Sequence, residues 1–135
     1  MGTNKKITFF VSIVALLYFL LKLLTIDSVS YTKNNWFYDR FFSTELIRNA
    51  PLISQSYYIS YSSRDGNKPE TNVIFFTGTT DKSELESYLR AKKFTPEQID
   101  INTIRWISPA YSGYDIYLSV YPDKKEVIMA AISLD

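Results

Sequence analysis

The 135-residue chain contains no cysteine and no histidine. Without cysteine there are no disulfides, no thiol nucleophiles and no thiolate metal sites. Without histidine the commonest general base and metal ligand is missing, and with it every Ser-His or Cys-His catalytic pair. Glycine is scarce: the four residues Gly2, Gly66, Gly78 and Gly113 are far apart, so no Gly-rich phosphate loop exists. Net charge is nearly absent too, at +1 from 15 basic and 14 acidic residues. A nucleic-acid protein needs a basic surface to displace counterions, so no nucleic-acid partner is expected.

The sequence does contain one long apolar run. Residues 7–26, ITFFVSIVALLYFLLKLLTI, carry a single charge, Lys22. A helix of that length spans roughly 30 Å, the thickness of a bilayer core. Lys22 lies one turn from its end, where an ammonium group can snorkel to the headgroups. Lys5 and Lys6 precede the run and Asp27 follows it. The positive-inside rule then places residues 1–6 in the cytoplasm and the rest outside, in a single-pass inner-membrane arrangement with a periplasmic or external domain. The alternative is a cleaved signal peptide. Ser28-Val29-Ser30 offers a small-x-small site near Ser30, after which the domain would be secreted.

Residues 27–35, DSVSYTKNN, read as a linker, and residues 36–135 as one α+β domain. Tyr31, Trp36 and Phe37 are placed either to meet headgroups or, for Trp36 and Phe37, to enter the core. A helix is expected over Trp36 to Asn49, with Asn35 as N-cap and a stripe of Tyr38, Phe42 and Leu46. Strands are expected over Gln55 to Ser62 and Thr71 to Thr77. Thr80 to Phe94 reads as a helix with Asp81 as N-cap and Glu84 completing a capping box. Thr95 to Gln98 suggests a short helical turn begun by Pro96, and Thr103 to Ile107 a short strand. Tyr114 to Tyr121 and Glu126 to Leu134 form a hairpin around Pro122-Asp123-Lys124-Lys125. The expected order is α-ββ-α-ββ: an antiparallel sheet of about four strands with helices on one face.

Candidates for chemistry are few. Asp81, Glu84 and Glu86 suit a helix N-terminus better than a metal. Ser30-Tyr31-Thr32-Lys33 matches Ser-x-x-Lys but lies in the expected linker, and Glu97 with Asp100 is the one carboxylate pair worth naming. No enzyme activity, metal or cofactor is expected.

Tyrosine is the remaining unusual feature. Ten of the 11 tyrosines follow Ser30. Alternation sets Ile116, Leu118 and Val120 on one strand face, and Tyr117, Ser119 and Tyr121 on the other. In the first strand the matching Tyr/Ser face holds Tyr58 and Ser60. Tyr111 and Tyr114 would extend this surface from the neighbouring loop. Tyrosine gives large contact area with few rotamers to freeze, and serine gives adaptable hydrogen bonds. These seven residues form the candidate partner-binding site.

In layout the chain is similar to small bacterial envelope proteins that have one N-terminal anchor and a compact periplasmic domain, among them some bacteriocin and effector immunity proteins. No shared motif carries that likeness, so no residue is transferred. The expectation is a membrane-anchored protein-binding domain, in its specific form an immunity protein against a toxin acting in the envelope. The alternative is an accessory single-pass subunit of an envelope or secretion complex. Splitting the chain sharpens the charge. The first 30 residues hold three of the basic and one of the acidic residues, so the remainder carries 12 against 13 and a charge of −1.

Overall fold

A computed structural model describes residues 2–24 and 27–134. The apolar run forms α1 (Gly2–Leu24), the one described helix long and apolar enough to cross a membrane, with a mean hydropathy of 2.4 over its most apolar 18 residues. Residues 25 and 26, the end of the expected span, lie outside the described residues.

The remaining chain forms a seven-stranded antiparallel sheet, not one of about four strands. Its strands are β1 (Ser28–Tyr31), β2 (Tyr57–Ser62), β3 (Thr71–Thr77), β4 (Thr95–Gln98), β5 (Thr103–Ile107), β6 (Tyr114–Tyr121) and β7 (Glu126–Ser133). The spatial order is β1-β2-β3-β7-β6-β5-β4. Two meanders, β1 to β3 and β4 to β7, therefore meet where β3 pairs with β7. The crossover between them carries α4 (Ser83–Ala91). Two shorter helices, α2 (Trp36–Phe42) and α3 (Glu45–Arg48), lie between β1 and β2.

Besides β5, itself an expected short strand, two of the added strands come from segments expected to be something else. Ser28–Tyr31 falls in the expected linker, yet it pairs with β2 from Ser28↔Ser62 to Tyr31↔Ile59. Tyr31 holds it there: its ring is buried, and its hydroxyl lies 2.7 Å from Ser43 Oγ. Thr95–Gln98 is an edge strand on β5, not a helical turn. An edge position tolerates Pro96, which has no N–H to contribute to a ladder.

The helices are shorter than the periodicity suggests. The expected Trp36–Asn49 helix breaks at Ser43-Thr44. Thr44 adopts φ −64°, ψ 157° and caps α3, its hydroxyl accepting from the Ile47 N–H at 3.3 Å. Ser and Thr favour such cap geometry over a helix interior. In α4, Asp81 sits one residue ahead of the cap position held by Lys82. Its carboxylate accepts from Ser83 N at 3.0 Å and Ser83 Oγ at 2.7 Å, and these bonds hold it below the usual carboxylate range. The helix ends in a Schellman motif without glycine. Lys93 takes φ 68°, its N–H bonds to Arg90 O, and the Phe94 N–H reaches Leu89 O.

All the helical packing falls on one sheet face. Leu46 and Ile47 from α3 and Leu85 and Leu89 from α4 meet Ile59, Ile74, Phe76, Trp106, Ile116, Leu118 and Met129, all buried. Each such side chain contributes about 1.5–3 kcal/mol on burial. Among them sits one amide, Asn72. It accepts from Thr44 N at 2.8 Å and donates to Ser60 O at 3.1 Å and to the Tyr31 hydroxyl at 3.5 Å.

Candidate functional site

The pairing register fixes what the other sheet face presents. One row crosses all seven strands: Ser30, Ser60, Val73, Ala130, Tyr117, Arg105 and Glu97. The next row runs Tyr58, Phe75, Ile128, Ser119 and Thr103. A third holds Thr71, Ile132 and Asp115, and the last Thr77, Glu126 and Tyr121.

The middle of this face is apolar. Val73 and Phe75 on β3 and Ile128, Ala130 and Ile132 on β7 are half-buried, and none belongs to the core cluster. Among the described residues no helix covers them. Tyr58, 44% exposed, lies flat on Phe75, with ring centroids 4.5 Å apart and planes 12° from parallel.

Towards β5 the face turns polar. Arg105 donates from Nε to Asp115 Oδ2 at 2.7 Å, and its NH2 group lies 2.6 Å from the same oxygen. Glu97 approaches the guanidinium from β4 at 3.6 Å. The hydrogen bond and charge of buried Asp115 hold Arg105 above its ordinary pKa. Thr103 and Ser119 share a hydroxyl–hydroxyl bond of 2.8 Å. The site is thus an apolar band beside a fixed, charge-compensated edge. It offers shape and apolar area, with no nucleophile or acid–base pair at its centre.

Of the seven candidate residues, five share this face: Tyr58, Ser60, Tyr117, Ser119 and Tyr121. Ser119 contributes little surface, being 9% exposed. The other two lie elsewhere. Tyr114 points to the helix side, where its hydroxyl donates to Glu70 Oε1 at 3.1 Å. Tyr111 closes the Pro109–Tyr111 turn and stacks on Phe94 at 5.2 Å. The alternation itself carried the signal for Tyr114, which is in phase with Ile116, Leu118 and Val120.

The weaker candidates have structural roles. Lys33 Nζ donates to Ala50 O at 2.8 Å, and burial lowers its pKa, while Ser30 stands on the open face. Asp100 accepts from the N–H groups of Asn102 and Thr103 at 2.7 and 2.8 Å, and Glu97 pairs with Arg105. Among the described residues no cluster of three acidic side chains could hold a metal ion.

No protein-family model matches the chain, and no curated protein or solved structure matches it significantly.

Proposed function

We propose that this chain is a protein-binding domain held at the outer side of a cytoplasmic membrane by α1, and that the open sheet face receives its partner. One observation carries the proposal. A short continuous apolar run is the pattern of a strand covered on both faces, as in a sandwich core. β3 and β7 have such runs, VIFF and VIMAAI, yet the chain's own helices pack on one face alone. The half-buried band of Val73, Phe75, Ile128, Ala130 and Ile132 is the face a second molecule would complete.

The partner is a protein whose own surface is apolar at the centre and polar at the rim. A toxin acting in the envelope fits this description, which makes the chain its immunity protein. Tethering such a binder confines it where the toxin arrives and raises its effective concentration there. Phe75→Ser combined with Ile128→Ser tests the surface: toxin protection should be lost while the chain still folds. Persistence of protection in the folded double variant would contradict it.

Replacing residues 1–26 by an unrelated signal peptide separates this function from that of an accessory subunit in a membrane complex. A binder keeps its activity in soluble form. A subunit that uses α1 to contact partner helices loses it. The absence of native cysteine makes the orientation easy to test. A cysteine introduced at exposed Ser83 should react with an impermeant maleimide on intact cells, and one at Thr3 only after lysis.

A further inference from the structure

α2 has three sides, and each faces something different. Tyr38 and Phe42 face the sheet, Tyr38 at 6.0 Å from Tyr31 and Phe42 at 5.1 Å from Tyr61. Phe37 and Phe41 pack against each other on the side towards α1, with ring centroids 4.8 Å apart and planes tilted by 44°, and Phe37 lies 6.0 Å from Phe19. Trp36, 71% exposed, and Arg40 point outwards. Asp39, the one acidic residue of α2, is turned inwards and accepts from Ser43 Oγ at 2.9 Å.

Between α1 and α2 lies an apolar cleft of about 530 Å³. Leu16, Phe19, Leu20 and Leu23 line one side, and Phe37 and Phe41 the other. Phe19 is five positions before Leu24, the last described residue of α1. It therefore lies about 7.5 Å inside that helix end, within the depth of the acyl chains if α1 spans the bilayer. Whatever solvates Phe19 also solvates Phe37 and Phe41.

We propose that α2 is an interfacial helix: its Phe37–Phe41 side sits in the bilayer that α1 crosses, and lipid acyl chains fill the cleft between them. The proposal rests on α1 being a membrane span. Trp36 lies at the headgroup level, where its amphipathic ring is favoured. Arg40 beside it meets lipid phosphate, as the basic side chains of interfacial helices do. The domain is then held at two points and cannot tumble freely about its connection to α1. The edge strand β1 begins at Ser28, four positions after the end of α1. The sheet consequently stands at the membrane surface.

The chain has two tryptophans, Trp36 and fully buried Trp106, so the difference between wild type and Trp36→Phe isolates the emission of Trp36. A second variant, Trp36→Phe with Phe41→Trp, moves the probe to the cleft wall. Each full chain is reconstituted into phosphatidylcholine vesicles, plain or brominated at the sixth and seventh acyl carbons, and recovered by flotation. Both probes should lose most of their emission in brominated vesicles, the one at position 41 more strongly. Floated protein whose position-41 probe keeps its emission would overturn the proposal while leaving the anchor intact. Protein that fails to float would overturn both.

Discussion

Tyr58 lies flat on Phe75 across the β2–β3 pair, in van der Waals contact on the face that no described helix covers. The adjacent residue, Phe76, points the other way and is fully buried. Two neighbouring phenylalanines thus have opposite fates, and they separate folding from recognition.

Phe76→Ala should destabilise the protein by about 3–5 kcal/mol, the usual cost of an aromatic cavity in a core. Phe75→Ala should cost about 1 kcal/mol, since it loses mainly one ring–ring contact. Partner binding should reverse the order. A central aromatic anchor contributes about 2 kcal/mol or more, roughly a thirtyfold loss of affinity. Urea unfolding of the full chain in detergent micelles, compared with binding titrations, checks both halves.

Asn72 joins β1, α3 and β2 through three hydrogen bonds within the core. Asn72→Leu is close in volume but leaves the Thr44 N–H and the Ser60 carbonyl without that partner. The expected loss is about 1–3 kcal/mol, from partly buried polar groups left without that partner. The midpoint of urea unfolding should fall accordingly. An unchanged midpoint would mean that these groups find other partners.

Lys93 occupies the left-handed position that ends α4, at φ 68°. Glycine carries no Cβ penalty there. Lys93→Gly should therefore stabilise the protein, by up to about 1 kcal/mol. The mirror-image change, Lys93→Val, should destabilise it. Thermal unfolding of the two variants gives the sign directly.

Stability should fall in alkaline solution. Burial, aided by the neighbouring Glu70 carboxylate, pushes the Tyr61 phenol up to about 12. Burial does the same for Tyr88, also to about 12, with Tyr111 and Glu45 adding to it. In the unfolded chain both titrate near 10. The folded state keeps protons that the unfolded state releases, so this contribution is complete below about pH 10 and is lost as pH rises towards about 12. Unfolding midpoints measured across that window should decline. Tyr61→Phe together with Tyr88→Phe should flatten the decline.

Much of this architecture is legible in the chain itself. β2 and β6 alternate over six and eight residues, long enough for a period of two to declare itself, and β3 and β7 stand out as apolar runs within strands of seven and eight residues. β1 and β4 do not. SVSY and TPEQ are four residues each, and TPEQ starts like a helix. Pairing with a neighbour makes them strands, and no local propensity encodes that pairing. The end of α4 was obscured because Lys93 stands where glycine usually marks the stop. The Tyr/Ser half of the open face follows from alternation alone. Its apolar half was hidden because β3 and β7 are apolar on both faces, and a sequence does not say which face the helices choose.

Site-specific photocrosslinking in native membranes tests the central claim most directly. A photoreactive phenylalanine analogue is placed at Tyr58 or Tyr117 on the open face, and at Ser87 on the helix side as the control. The same partner adduct should form from both open-face positions, disappear when Phe75→Ser and Ile128→Ser are added, and be absent from position 87. Adducts that form equally from position 87, or that survive the double substitution, would contradict a recognition site on the open sheet face.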